Sequence, residues 1–146
     1  IPVSNETYWG SKLNGSFHQK DNQKPQPINV SDCRKDSIRI LTSRSHPDKI
    51  LNTILKELDD YQIIKKGSSL KFCFIASGRA DLYMRLGPTS EWDTGAGEAI
   101  VRFAGGYISS IDGKSITYNL KESILNPNFI VSNSKYLIDV FIKLIK

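Results

Sequence analysis

The feature that most restricts the fold of this chain is a regular change between two spacings of its apolar residues. Residues 37–43 alternate around Ile38 and Ile40 with a period of two, which predicts a strand. The next segment carries apolar residues at helical spacing, which predicts a helix capped by Ser45. These residues are Ile50, Leu51, Ile54, Leu55 and Leu58.

The same change of spacing continues to the end of the chain. Further strands are predicted over 61–66, 80–86 and 128–132, and further helices over 68–77 and 93–104. Asp112-Gly113 predicts a hairpin turn between strands at 107–111 and 115–118. A last helix carries one apolar stripe: Leu137, Ile138, Phe141, Leu144 and Ile145. Strands that alternate with helices, with antiparallel pieces added, predict an α/β fold in which a mixed β-sheet is layered with helices.

Composition and charge exclude several classes of function. The 146 residues include 20 Lys+Arg and 15 Asp+Glu, a formal net charge of +5. This charge is spread along the chain, without the basic stripe that is typical of nucleic-acid-binding proteins. No uninterrupted apolar run approaches the ~20 residues of a membrane span, and we expect the last helix to pack in a core and not on a membrane. Two cysteines without metal-binding spacing indicate a reducing compartment, so we expect a cytoplasmic protein.

The chain begins with Ile1, and its only methionine is Met84. Because a primary translation product starts with methionine, we expect a trimmed, processed or partial chain. We therefore expect the active protein to contain residues beyond the printed 146.

Two junctions between predicted elements carry polar residues that suit an anionic ligand. Residues 42–46 join a strand end to a helix start, where free backbone N–H groups and His46 favour an anion. Residues 67–71 open the second helix, and Ser68 and Lys71 lie three residues apart on its first turn. From the residues alone, a capped helix with a polar surface is the favoured interpretation of each junction, and an anion site is the alternative.

A third junction is Glu91-Trp92-Asp93-Thr94-Gly95-Ala96-Gly97. Asp93 stands at a predicted helix start, where an aspartate is most often a cap. The small residues that follow let the first turn approach a ligand closely. An aspartate aimed into such a gap can ligate Mg²⁺ while the helix N-terminus faces a phosphate. Composition alone favours the cap role over the metal-ligand role.

Short motifs occur together and in order over about residues 37–131. They are Ser43-Arg44-Ser45-His46, Gly67-Ser68-Ser69-Leu70-Lys71-Phe72-Cys73, Ala80-Asp81-Leu82-Tyr83, Arg85-Leu86-Gly87-Pro88-Thr89, Trp92-Asp93-Thr94-Gly95-Ala96-Gly97, Ala104-Gly105-Gly106, Tyr118-Asn119 and Asn126-Pro127. Together they resemble the C-terminal half of the 3'(2'),5'-bisphosphate nucleotidases, a branch of the inositol monophosphatase superfamily. The tryptophan–aspartate motif is typical of the whole superfamily, with Gly95 here in place of the usual alanine.

The resemblance implies a Mg²⁺-dependent phosphatase that removes the 3'-phosphate of adenosine 3',5'-bisphosphate and releases AMP and phosphate. By position, Asp93 matches the aspartate that ligates one metal ion and lies next to the substrate. His46, Ser68, Lys71 and Arg85 match residues that hold the nucleotide. Metal ions and cationic side chains are what phosphoryl transfer needs to neutralise charge and to place a water in line.

The resemblance also divides the chain. It implies that residues 1–30 are the tail of a preceding N-terminal domain, a hairpin and a loop, and that residues 31–146 are the C-terminal α/β domain. The family's upstream glutamate and Asp-Pro-x-Asp-Gly-Thr motif have no match here. We therefore expect Asp93 to be the one metal ligand, a missing N-terminal domain or chain to be a partner, and the chain alone to be inactive. An inositol monophosphatase, a sugar bisphosphatase and a non-catalytic nucleotide-binding module remain as alternatives.

Overall fold

The structure is a computed structural model that describes residues 1–33, 37–43 and 49–145. Over these ranges the strands are β1 (Glu6–Ser11), β2 (Gly15–Lys20), β3 (Gln26–Ile28), β4 (Ile38–Thr42), β5 (Tyr61–Lys65), β6 (Leu82–Arg85), β7 (Tyr107–Ser110) and β8 (Phe129–Ser132). The helices are α1 (Lys49–Leu55), α2 (Leu70–Ala76), α3 (Glu91–Phe103) and α4 (Lys135–Ile145). No helix among the described residues is long and apolar enough to cross a membrane.

The centre of the fold is a five-stranded mixed sheet in the order β5-β4-β6-β8-β7. Strand β4 runs parallel to β5 and β6, as expected where a helix connects consecutive strands. Strand β8 pairs antiparallel with both β6 and β7. The predicted α/β fold with a mixed sheet is therefore confirmed.

Helices cover both faces of this sheet. Neighbouring residues of β6 point to opposite faces, so Tyr83 joins the core under α2 and α3, whereas Met84 joins the core under α1 and α4. Helix α4 buries Leu137, Ile138 and Phe141, which confirms that its apolar stripe packs in a core. The side chains in these cores are almost wholly removed from water, and their burial is the main force that holds the layers together.

A second sheet, with the antiparallel order β1-β2-β3, packs against the outer side of α3. The Ser16 hydroxyl donates a 2.7 Å hydrogen bond to the Ile100 carbonyl, and the Val30 N–H donates a 3.0 Å bond to the Ala104 carbonyl. A Cβ atom at Gly10 would lie 2.6 Å from the Ser16 hydroxyl, so the close approach of β1 requires a glycine. The division of the chain at residue 30 stays a prediction.

The predicted hairpin at Asp112-Gly113 is wrong in its second strand. The turn closes as expected, because the Ser110 N–H donates to the Lys114 carbonyl at 2.9 Å. Residues 115–118 then form no strand, and β7 pairs with β8 instead. Ile116 is only 6% exposed and belongs to the core under α2 and α3, so the chain leaves the edge of β7 to bury this side chain.

A buried carboxylate just before β6 binds β4, the segment before β4 and the residue that follows β8. Asp81 is fully buried and accepts hydrogen bonds from Arg39 Nε (2.9 Å), Arg39 Nη2 (2.7 Å), the Ser31 hydroxyl (2.8 Å) and Asn133 Nδ2 (3.1 Å). Burial by itself would raise the pKa of Asp81, but the hydrogen bonds from Arg39 and Ser31 outweigh it and hold the pKa below its usual range. The cluster therefore stabilises the fold in its ionised form.

Candidate active site

A cleft of about 530 Å³ opens beyond the carboxyl ends of β4 and β6, where α2 and α3 begin. Ligands of open α/β sheets commonly bind at the carboxyl ends of the parallel strands. The lining residues include both polar and aromatic side chains. They are Ser43, Ser68, Ser69, Lys71, Phe72, Tyr83, Arg85, Pro88, Thr89, Trp92, Asp93, Thr94, Ala96, Gly97 and Phe129.

The cleft brings together four of the five site residues that the sequence predicts. Ser68, Lys71, Arg85 and Asp93 all line it, although they belong to different elements and span 26 positions of the chain. The fifth, His46, lies outside the described residues. The structure thus places a carboxylate and two cationic side chains around one space.

Lys71 lies on the first turn of α2, and its side chain is buried. Its Nζ donates a 2.9 Å hydrogen bond to the Ser68 carbonyl and lies 4.9 Å from the centre of the Tyr83 ring. Burial, together with the positive charge of Arg85, lowers the pKa of Lys71. An anionic ligand would relieve both effects, because it supplies the opposite charge that this buried ammonium lacks.

Ser68 differs from its predicted place on the first turn of the second helix. Helix α2 begins at Leu70, and Ser68 precedes it with a φ of 51° in the left-handed region. This backbone conformation is costly for a residue with a Cβ atom. It accompanies the 2.9 Å hydrogen bond from Lys71 Nζ to the Ser68 carbonyl, so the serine backbone orients the lysine.

Arg85 is the last residue of β6 and lines the cleft at the carboxyl end of this strand. Its Nη2 donates a 3.2 Å hydrogen bond to the Pro88 carbonyl. Its Nε is buried and has no hydrogen-bond partner within the described residues. Because buried donors are nearly always paired, the unpaired Nε of Arg85 favours a ligand that brings an acceptor. An anionic oxygen forms the strongest hydrogen bond of this kind.

Asp93 is the third residue of α3, because the helix begins at Glu91 and Ser90 takes the cap position. The predicted helix start at residue 93 is thus two residues late. The Ser90 N–H donates a 2.8 Å hydrogen bond to Asp93 Oδ2, the reciprocal half of a capping box. Asp93 is exposed, and its Oδ1 accepts no hydrogen bond from the described residues. One carboxylate therefore anchors the helix start through Oδ2 and also lines the cleft.

The donor set fits Mg²⁺ only in part. A carboxylate oxygen is the ligand type that Mg²⁺ prefers, and Asp93 offers one. Within residues 1–33, 37–43 and 49–145, no group of three or more His, Cys, Asp or Glu side chains is arranged to hold a metal ion. Asp93 is suited to be one ligand among several, and the other ligands would come from outside the described residues.

A polar network behind α3 holds the segment that carries Asp93. Asn126 Nδ2 donates hydrogen bonds to the Ser90 carbonyl (2.8 Å) and to Thr94 Oγ1 (3.0 Å). The Tyr118 hydroxyl donates to the same Thr94 oxygen at 3.2 Å, and burial raises the pKa of this phenol above its usual range. Ser90 is thus held on its carbonyl side by Asn126 and on its N–H side by Asp93. Tyr118 and Asn126, which belong to two of the sequence motifs, therefore support the segment that carries Asp93 and do not line the cleft themselves.

Tyr83 is a lining residue that the sequence analysis did not single out. It stands two positions before Arg85 in β6, and residues two apart in a strand face the same side of the sheet. This spacing from Arg85 is the sequence signal that could have identified Tyr83 as a lining residue. Burial raises the pKa of Tyr83 to about 12, so its hydroxyl stays protonated and able to donate over a wider pH range than that of an ordinary tyrosine.

Comparisons with known proteins agree with this arrangement. The model of the inositol monophosphatase family matches residues 1–146. The chain is 42% identical to the 3'(2'),5'-bisphosphate nucleotidase CysQ of Escherichia coli (strain K12) over 131 residues, which are 90% of the chain and 52% of that protein. The CysQ of Aggregatibacter actinomycetemcomitans is 33% identical over 132 residues, 89% of the chain and 49% of that protein. The chain spans about half the length of the curated relatives it matches.

Solved structures resemble the chain in the same way. The crystal structure of CysQ from Bacteroides thetaiotaomicron matches with a TM-score of 0.77 and 31% identity, covering 92% of the chain and 56% of that structure. The inositol monophosphatase from Anabaena matches with a TM-score of 0.63 and 23% identity over 90% of the chain and 54% of that structure, a likeness in fold. Both matches agree with the layered α/β fold.

Proposed function

Because this chain belongs to the inositol monophosphatase family, we propose that it is part of a Mg²⁺-dependent phosphatase that removes the 3'-phosphate of adenosine 3',5'-bisphosphate. The products are AMP and phosphate. The observation that carries the proposal is the cleft in which Lys71, Arg85 and Asp93 converge. The identity of 42% to a 3'(2'),5'-bisphosphate nucleotidase favours this substrate over an inositol phosphate.

The two cationic side chains bind the anionic groups of the substrate in this proposal. The unpartnered Nε of Arg85 and the buried Nζ of Lys71 approach the same space from β6 and α2. Charge-assisted hydrogen bonds from such donors hold phosphoryl oxygens in a defined orientation. Ser68 orients Lys71 through its carbonyl. His46, which lies outside the described residues, would supply the further nucleotide contact that the resemblance implies.

Asp93 would hold Mg²⁺ through the oxygen that the helix cap leaves open. A bound Mg²⁺ supplies Lewis-acid stabilisation of the charge that develops on the transferred phosphoryl group and its leaving oxygen. The capping bond between Ser90 and Asp93 fixes the carboxylate before any ligand arrives, so no reorganisation is needed at the moment of reaction.

The remaining metal ligands come, in this proposal, from an N-terminal domain or chain that packs next to the cleft. Asp93 is the one carboxylate among the described lining residues, and a phosphatase metal site requires several oxygen ligands. The 146-residue chain by itself is then expected to bind Mg²⁺ poorly and to release little phosphate. Two cysteines without metal-binding spacing agree with action in the reducing cytoplasm.

The proposal is tested with the chain and with a chimera in which the chain replaces the matched part of E. coli CysQ. Phosphate release is measured with adenosine 3',5'-bisphosphate, inositol 1-phosphate and fructose 1,6-bisphosphate, with and without Mg²⁺. We expect Mg²⁺-dependent release from the adenine nucleotide by the chimera and little release by the chain alone. Rapid release by the chain alone would contradict the need for a partner.

The comparison of substrates separates the alternatives. A chimera that prefers inositol 1-phosphate or the sugar bisphosphate would contradict the nucleotidase assignment. A folded chimera that binds AMP tightly without Mg²⁺ and releases no phosphate would instead indicate a nucleotide-binding module. In each case Lys71→Met should weaken nucleotide binding, whereas Lys65→Met, on the exposed edge strand β5, serves as the matched control.

A further inference from the structure

We propose that the Tyr83 hydroxyl is a further substrate contact, which donates a hydrogen bond to a phosphoryl oxygen held between Lys71 and Arg85. This inference rests on the proposed function, because it takes the ligand of the cleft to carry a phosphoryl group. The proposed contact lies where β6 lines the cleft. It adds a neutral hydrogen-bond donor, the Tyr83 hydroxyl, to the two cationic side chains of Lys71 and Arg85.

The ring of Tyr83 is held in one position by its aromatic neighbours. It meets Phe72 edge to face at 5.7 Å and 82°, and Phe129 at 5.8 Å and 86°. Such pairs favour perpendicular rings and resist rotation of the side chain. The residue is 6% exposed, so its hydroxyl has a fixed place on the floor of the cleft.

The hydroxyl of Tyr83 makes no hydrogen bond within the described residues, and it is not one of their buried polar atoms without a partner. The residue lines the cleft, so this oxygen stays accessible from the cleft while the ring is buried. Tyr118, a half-buried tyrosine behind α3, instead donates to Thr94 Oγ1 at 3.2 Å. The contrast indicates that the Tyr83 hydroxyl is available to donate to an acceptor that enters the cleft.

The charges around this hydroxyl define the acceptor. Lys71 Nζ lies over the Tyr83 ring, 4.9 Å from its centre, and Arg85 shares the face of β6 that carries the tyrosine. Arg85 Nε is buried and has no hydrogen-bond partner within the described residues. Three donors that converge from two elements match a group with several oxygens and negative charge, which is the chemistry of a phosphoryl group.

The test is calorimetric titration of the chain with AMP, inorganic phosphate and adenosine. Tyr83→Phe keeps the ring and removes the hydroxyl, and Tyr107→Phe, exposed on β7 away from the cleft, is the matched control. We expect Tyr83→Phe to weaken the binding of AMP and of phosphate by about tenfold, the loss of one hydrogen bond to a charged acceptor. Binding of adenosine, which lacks a phosphoryl group, should not change.

Thermal unfolding provides a readout that separates a ligand contact from a structural role. Because the hydroxyl has no protein partner, Tyr83→Phe should unfold at the same temperature as the unsubstituted chain or slightly above it. A lower unfolding temperature together with unchanged AMP affinity would assign the hydroxyl to the fold and overturn the proposal.

The outcomes also distinguish this inference from the proposed function. If Lys71→Met weakens AMP binding and Tyr83→Phe does not, the cleft binds phosphate and the tyrosine contact is refuted by itself. If the unsubstituted chain and the chimera bind none of the phosphate-bearing probes, the proposed function fails and the inference fails with it.

Discussion

Replacing Gly97 of α3 by alanine is expected to destabilise the protein, although alanine is the better helix former. A Cβ atom at Gly97 would lie 2.6 Å from Cγ, 2.8 Å from Cδ2 and 3.0 Å from Cβ of Phe72. Phe72 is 2% exposed and is enclosed by Tyr83 and Phe129, so its ring has no free space to move into. Overpacking of a filled core costs about 1–3 kcal/mol.

Gly95, two residues earlier in the same helix, provides the matched control. A Cβ atom there would meet only the ring of Tyr118, at 3.7 Å, which is an ordinary van der Waals contact. Gly95→Ala should therefore stabilise the chain by about 0.5–1 kcal/mol through helix propensity. Because the same propensity gain applies at both sites, the difference between the two variants isolates the overpacking cost of about 1–3 kcal/mol.

The assay is urea denaturation followed by circular dichroism. The free energies of unfolding of both variants and of the unsubstituted chain are compared on the condition that their m-values, the slopes against urea concentration, agree. We expect the free energy of unfolding to rise in Gly95→Ala and to lie about 1–3 kcal/mol lower in Gly97→Ala than in Gly95→Ala. Since Phe72 lines the cleft, Gly97→Ala should also weaken AMP binding. A Gly97→Ala chain as stable as Gly95→Ala would refute the argument that Phe72 fills the space above this glycine.

Three further predictions test the site and its support. Asp93→Asn keeps an acceptor for the Ser90 N–H and removes the charge. The chimera should therefore stay folded while its apparent Mg²⁺ affinity falls by about 10–100-fold or more. An unchanged Mg²⁺ requirement would exclude Asp93 as a ligand. Asp81 has a lowered pKa in the folded state, so the stability that it contributes is present above pH ~4 and is lost as the pH falls through its folded pKa. Asp81→Asn leaves Arg39 uncompensated and should cost about 3–5 kcal/mol at neutral pH while flattening the acid limb of denaturation curves; an acid limb that keeps its slope would contradict this assignment. Asn126→Ala removes the hydrogen bonds to Ser90 and Thr94 and should lower the free energy of unfolding by about 1–3 kcal/mol. Asn128→Ala is the control and should have little effect. Equal losses of stability in the two variants would argue against the network.

The local elements of this fold follow from the sequence because each depends on residues close together in the chain. Period-two spacing around Ile38 and Ile40 forms β4, and helical spacing at Leu51, Ile54 and Leu55 buries one face of α1. The tryptophan–aspartate motif is likewise local, and its resemblance to the family pattern pointed to Asp93. Element boundaries were less predictable, as the starts of α2 and α3 show.

Long-range pairing is what the sequence left open. The turn at Asp112-Gly113 closes as its residues require, yet β7 finds its partner in β8, because burial of Ile116 draws the intervening chain into the core. The lining of the cleft depends on the same kind of contact. Lys71 and Tyr83 belong to different elements, and only the packing of α2 on the sheet sets the ammonium over the ring.

The sequence by itself therefore determined most of the helices and strands, their order and the charged residues available for phosphate chemistry. Only the tertiary structure decided which of these residues face one another, and it added Tyr83 and Asn126 to the candidate site. The physical reason is the range of the forces involved. Helix and strand periodicity acts between residues a few positions apart, whereas the burial of apolar surface joins segments wherever their shapes and volumes fit.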